Sequence, residues 1–159
     1  METLVLDDND FFSLAEAVWD SMLGQQLERV SPDDTGITGA MLTACVQVAG
    51  DWNGAITLQC SKACAETMAA AMFDLPVEEL PGTDVFDALG ELVNMTGGSV
   101  KGMVEGTNTL TLPTVVEGDQ SALVLPGTET RNLVVGQVAN ERLVFRVLTK
   151  KDHKEAGEL

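Results

Sequence analysis

Three polar side chains recur along one short run of this chain, Asp87-Ala-Leu-Gly-Glu91-Leu-Val-Asn94-Met-Thr-Gly97-Gly98, and their spacing is helical. A helix advances about 100° per residue, so offsets of four and seven return to within about 40° of the start. Asp87, Glu91 and Asn94 therefore share a face, and Gly98 and Lys101 continue the line. That face offers two carboxylates, a neutral amide, a bare patch of backbone and an ammonium. An acid can dock on a cation. An amide can accept a hydrogen bond from water and donate one to an anionic oxygen without adding negative charge. The remaining positions, Val85, Phe86, Leu89, Leu92, Val93, Met95, Val100, Met103 and Val104, read as core.

A polar stripe is often only the wet side of an amphipathic helix, and that reading stays open on pattern alone. Two features weigh against it. Asn is a poor helix former beside the Lys, Glu and Arg that usually cover solvated faces. The segment also holds Gly90, Gly97, Gly98 and Gly102, each interior glycine costing about 0.5–1 kcal/mol relative to Ala. Such a density suggests that something approaches this backbone closely, and the Gly97-Gly98-Ser99 stretch is a point where the helix would bend.

The chain has 159 residues, 45% of them apolar and 21% charged. That is enough for one domain with a sizeable core; we take 1–149 as the domain and 150–159 as a charged, mobile tail. A net charge of −16 argues against binding nucleic acid or an anionic membrane surface, which require basic patches. No apolar run reaches bilayer-spanning length, and the acidic opening Met-Glu-Thr-Leu-Val-Leu-Asp-Asp is unlike a secretory leader. Cys45, Cys60 and Cys64, an odd and sparse set, read as reduced thiols, and the expected location is the cytoplasm. Cys60 and Cys64 are four apart, but there is no CxxC pair, and His153, in the tail, is the lone histidine. We expect no metal site. Nor is there a P-loop, a dinucleotide fingerprint or a GxSxG elbow.

The elements that must position the stripe follow from caps, turns and alternation. Asn9 or Asp10 caps a first helix from Phe11 to Leu23, ended by Gly24. A short strand covers 26–30. Strands Met41–Val48 and Ala55–Gln59 form a hairpin through Asn53-Gly54. Ser61 caps a second helix to Asp74, and 75–82 is a linker with at most one helical turn. Thr83 or Asp84 caps the third helix, which reaches about Glu105. Strands follow at Thr107–Val116, Ala122–Leu125, Arg131–Val138 and Arg142–Leu148, with Pro113 at an edge or a bulge. The expected fold is α+β, three main helices packed on an antiparallel, meandering sheet, with a hint of a two-fold plan in which helix then strands occurs twice.

The third helix resembles the CheC/CheX/FliY phosphatases of bacterial chemotaxis, whose motif (Asp/Ser)-xxx-Glu-xx-Asn-xxx-Gly reads here as Asp87, Glu91, Asn94, Gly98. Trp-Asp-Ser-Met-Leu-Gly (19–24), the Asn53-Gly54 turn and Leu-Pro-Thr-Val-Val-Glu-Gly (112–118) extend the likeness over residues 10–148, and it is closest to CheX. The resemblance implies a CheC/CheX-like fold and hydrolysis of the aspartyl phosphate of a CheY-like response regulator. It implies that Glu91 pairs with a receiver lysine and Asn94 orients the attacking water, while Asp87, Gly98 and Lys101 meet the partner. No cofactor would be bound by this chain, since the receiver brings Mg²⁺. CheC carries a second motif on its first helix; here that helix offers Glu16 and then Trp19, so one site is expected. A homodimer through sheet edges, with strands such as Arg142–Leu148, is also implied. The alternative is an adaptor of the same fold that binds a receiver or CheD without turnover.

Overall fold

The computed structural model describes residues 6–118 and 125–151. Helix α1 (Asp8–Leu23) begins earlier than its apolar spacing suggests. Asp7, not Asn9 or Asp10, is the cap, its Oδ1 accepting from the Asp10 N–H at 2.8 Å. Gly24 closes the helix in the left-handed conformation, φ 62°. Strands β1 (Glu28–Val30), β2 (Met41–Gly50) and β3 (Gly54–Ser61) follow. The β2–β3 turn is fastened by Asn53, whose amide donates to the Gly50 carbonyl at 3.1 Å. Ser61 caps α2 (Lys62–Phe73) and Asp74 ends it with φ 53°, as expected. The linker carries one 3₁₀ turn, Val77–Glu79.

Helix α3 runs unbroken from Gly82 to Lys101. It starts after Pro81, whose extended backbone (ψ 145°) ends the linker, so Thr83 and Asp84 lie inside the helix rather than capping it. It stops short of Glu105 because Asp51 competes for the chain there. The Asp51 carboxylate accepts from the Thr107 N–H at 2.7 Å, and the Asp51 N–H donates to the Thr107 carbonyl at 3.1 Å. Met103, expected in the core, is thereby left outside, 39% exposed.

The last third folds into β4 (Asn108–Leu110), β5 (Thr114–Gly118), β6 (Thr128–Val138) and β7 (Glu141–Lys150). The strand expected at 122–125 lies mostly outside the described residues, and Leu125 itself is not in a strand. The charged tail beyond Lys151 is outside them too, while Lys150 still belongs to β7.

All pairings are antiparallel, in the order β1-β6-β7-β3-β2, with β4 and β5 both on the outer side of β2. This order makes the two-fold plan visible. Each half contributes a helix and its strands (α1 with β1–β3, α3 with β4–β7), and each gives its first strand to the other half's edge. The β7 strand pairs with β3 on one side and β6 on the other. Arg142–Leu148 is therefore interior and offers no free edge, contrary to the expectation that it would join two copies. Among the described residues, the free edges are β1 and β4–β5.

One sheet face carries Leu42, Ala44, Val46, Val48, Ile56, Leu58, Phe145 and Val147 against the helices. Trp19 is fully buried and meets Phe145 edge-on at 5.2 Å. Helix α3 touches both other helices and strands β2–β5. It comes close to β2 at Gly97, where an added Cβ would lie 2.4 Å from Val46 Cγ1; at Gly98 such an atom would meet nothing within 4 Å. These adjacent glycines should respond oppositely. Gly97→Ala should destabilise by about 1–3 kcal/mol through overpacking, and Gly98→Ala should stabilise by about 0.5–1 kcal/mol through helix propensity, both read from thermal or denaturant unfolding.

Candidate functional site

The stripe faces outward. Asp87 and Glu91 are exposed, and Asn94, Gly98 and Lys101 are partly exposed, while Ala88, Leu89, Leu92, Val93 and Val100 on the other sides of α3 are buried. The reason is rotational. With Gly97 pressed on β2, residues 87, 91, 94, 98 and 101 fall between about 40° and 120° around the helix from it. Among the described residues, neither the Glu91 carboxylate nor the Asn94 amide has a hydrogen-bond or ion-pair partner. The two ion pairs found there, Lys62–Glu117 and Arg142–Asp34, lie elsewhere.

An open concavity lies beside the stripe, lined by Phe86, Asp87, Gly90, Glu91, Pro113 and Val115. A second, lined by Gly98, Lys101, Gly102, Thr107 and Asn108, continues at the C-terminal end of the helix. Both sit between α3 and the β4–β5 edge. The site is a shallow, open strip rather than a deep cleft. A further hollow under Leu125 and Pro126, lined by Gln47, Ala49, Asn53 and Lys150, gathers no acid–base pair.

The structure brings together every stripe residue named from the sequence, and divides the glycines by task. Gly97 serves the contact with the chain's own sheet, Gly90 receives Pro113 (3.4 Å from Pro113 Cγ to an added Cβ), and Gly98 faces open space.

What the sequence reading missed is the frame on α1. Trp19 is core, so the Glu16–Trp19 pair is not the outward counterpart of Glu91–Asn94. Beyond its first turn α1 is exposed at Ser13, Ala17, Asp20 and Ser21, with exposed Gly24 as its cap; of these, Ser13, Ala17, Asp20 and Gly24 stand at the same 4-3-4 spacing as Asp87, Glu91, Asn94 and Gly98. Ala17 lacks the acid, and Asp20 places a charge where α3 has an amide. The absence of an acid–amide pair on α1 holds, for a different reason, and the burial of Trp19 is the signal that corrects the frame.

The cysteines take no part. All three are free and buried, and no cluster of metal-ligating side chains exists among the described residues. Burial pushes the Cys45 thiol up to about 11. A hydrogen bond with Cys64, together with burial, raises Cys60. No helix among the described residues is long and apolar enough to cross a membrane.

An α+β domain that bears an acid–amide face on a helix laid across an antiparallel sheet defines the class. The model of the family described as chemotaxis phosphatase CheX matches residues 42–136, and the chain belongs to that family. Solved structures agree on the fold. CheX of Vibrio vulnificus superposes with a TM-score of 0.66 at 17% identity, covering 87% of this chain and 93% of that one. The CheX–CheY–BeF₃–Mg²⁺ complex of Borrelia burgdorferi gives 0.69 at 17% identity, over 89% and 96%. FliY of Thermotoga maritima gives 0.56 at 17%, over 93% and 88%. No curated protein sequence matches the chain.

The raised thiols predict that native protein at pH 8 reacts with a thiol reagent orders of magnitude more slowly than urea-unfolded protein, because little thiolate forms and access is closed. Absorbance-monitored titration with an aromatic disulfide reads this directly.

Proposed function

We propose that this protein accelerates hydrolysis of the aspartyl phosphate of a CheY-like receiver domain, with Glu91 and Asn94 as the working groups. The carrying observation is that an acid and an amide one turn apart lie on the outer face of α3 with no hydrogen-bond or ion-pair partner among the described residues. Helix and sheet fix the backbone that carries them, so only the two side chains' rotamers are left to order on docking.

The chemistry asks little else of this chain. An acyl phosphate is an activated group, and in a receiver it sits beside the receiver's own Mg²⁺. Water attacks phosphorus in line as the bond to the aspartyl oxygen breaks, leaving a carboxylate and inorganic phosphate. Asn94 accepts a hydrogen bond from that water and so fixes its line of attack. Its neutrality avoids the repulsion that Asp would bring near phosphoryl oxygens. Glu91 pairs with a receiver lysine and holds the two proteins in register. Such orientation can lower the barrier by several kcal/mol. Asp87 and Lys101 flank the contact, and Gly98 leaves room for the approaching backbone.

The family's description as a chemotaxis phosphatase supports this reading, as does the Borrelia burgdorferi relative solved with CheY, BeF₃ and Mg²⁺. A homodimer built through the sheet would use β1 or β4–β5, the free edges among the described residues. We place the reaction in the cytoplasm.

Asn94→Ala should reduce turnover of a phosphorylated receiver about 100-fold or more while leaving binding within a few-fold. Glu91→Ala should mainly weaken binding. Loss of label from phosphorylated receiver, with wild type and each variant, measures both. If wild type binds at stoichiometric ratio without any acceleration, the adaptor reading replaces the enzyme. With a net charge of −16, association with a basic docking face should also slow as salt rises; stopped-flow on-rates that stay flat from 50 to about 500 mM salt would remove the steering argument.

A further inference from the structure

We propose that the hollow under Leu125 and Pro126 binds a small organic acid, a carboxylate on a short apolar body, with Lys150 as its counter-ion. The hollow lies on the sheet face turned away from the helices and the Glu91–Asn94 strip. It stands or falls independently of the function proposed above.

Strand alternation sets the location. Val46, Ile56 and Val147 belong to the core beneath the helices. Gln47, Ala49, Ala55 and Lys150 are out of step with them by an odd number of residues, so they face the other way. Short side chains leave the floor open: Ala55 stands across from Gln47, and Ala49 and Gly54 continue the lining. Leu125 and Pro126 wall it from the β6 side. Their turn is fixed at both ends, since Thr128 Oγ1 donates to the Leu125 carbonyl at 2.6 Å and the Lys151 N–H donates to the Gly127 carbonyl at 2.9 Å. The hollow has a volume of about 250 Å³, which is the scale of a small organic molecule rather than of one or two waters.

The lining divides its polar groups into used and unused. Asn53 is used: its Nδ2 donates to the Gly50 carbonyl at 3.1 Å and its Oδ1 accepts from the Gly50 N–H at 3.4 Å. Thr128 is used in holding Leu125. The Lys150 ammonium and the Gln47 side-chain amide have no hydrogen-bond or ion-pair partner among the described residues; the two ion pairs found there involve Lys62 and Arg142. A cation without an acid beside it stands out in a chain with 25 acidic and 9 basic residues.

Apolar walls with a few convergent polar groups are the composition of a small-molecule site. Here the walls are Val48, Ala49, Ala55, Leu125 and Pro126, and the unused groups are one ammonium and one amide. The complement is an apolar body bearing one anion. Its apolar part takes water off the walls. Its carboxylate accepts a charge-assisted hydrogen bond from Lys150 and a second from the Gln47 amide. An inorganic anion would leave the apolar walls wet, and a neutral apolar molecule would leave Lys150 unpaired.

The test is titration of isotope-labelled protein with isocaproate and with its neutral isostere isocaproamide, followed by backbone amide chemical shifts. The proteins are wild type, Lys150→Gln, Lys150→Arg, Lys151→Gln and Ala49→Leu. Isocaproate should bind saturably with a Kd of about 1 mM or below, its shifts centred on Ala49, Gly54, Ala55 and Thr128. Isocaproamide should bind about tenfold more weakly, and Lys150→Gln should lose about tenfold for the acid. Lys150→Arg should stay within about threefold of wild type. Ala49→Leu, at an exposed position, should fill the hollow and lose binding with thermal unfolding unchanged. Lys151→Gln, next in the chain but outside the lining, should match wild type. No saturable shift by about 20 mM acid, shifts centred elsewhere, or wild-type binding by Ala49→Leu overturns the site. An amide that binds as well as the acid, or an equal loss in Lys151→Gln, overturns Lys150 as counter-ion and with it the ligand class. No receiver enters the experiment, so each of these outcomes leaves the phosphatase reading as it stood.

Discussion

The contact between Gly97 and Val46 sets the rest of the arrangement. With no Cβ at position 97, α3 settles onto β2 at a distance that a larger side chain would prevent. Because the helix is rigid, that contact, with Pro113 over Gly90, fixes its rotation as well as its depth. The apolar positions Val85, Leu89, Leu92, Val93 and Val100 then face the interior, each contributing on the order of 1.5–3 kcal/mol by burial. The polar stripe is left on the flank toward the β4–β5 edge. A carboxylate and an amide can remain unpartnered there because water solvates them; inside the core each would need its own hydrogen bonds.

The edge strand completes the surface. A continuous strand from Asn108 to Gly118 would have presented a flat row of backbone donors and acceptors beside the helix. Pro113 cannot donate to a ladder, and an extra residue relative to β2 breaks the edge into β4 and β5. The break lies on the side facing α3, so the same feature that blunts an exposed edge also walls the concavity next to Asp87 and Glu91.

The two halves show how little separates an acid–amide face from a plain one. Helices α1 and α3 occupy corresponding places in a sheet whose halves exchange their first strands. Both present four outward residues at the same spacing. On α3 these are Asp87, Glu91, Asn94 and Gly98; on α1 they are Ser13, Ala17, Asp20 and Gly24. The fold supplies the position twice, and the side chains at three of the four places separate the faces. Function here belongs to the site and not to the architecture that carries it.

Much of this was legible in the chain itself. Period and caps placed α2 between Ser61 and Asp74, Gly24 at the end of α1, the Asn53-Gly54 turn and the one-faced stripe on α3, because these depend on local geometry and short-range hydrogen bonds. Other features were not legible, because they are settled by partners distant in sequence. Asp51 captures Thr107 and ends α3 early. The Val46 side chain gives Gly97 its purpose, while Gly98 beside it has none in this chain. Strand β7 is enclosed by β3 and β6 although its own sequence reads like any edge candidate. Trp19 is in the core, as its type suggests, but only its contact with Phe145 shows that the outward frame of α1 lies one residue further on. Sequence alone thus determined which groups share a helical face, since that follows from a fixed rotation per residue; only tertiary packing decided which way the face points and what stands beside it, since that depends on contacts between residues far apart along the chain.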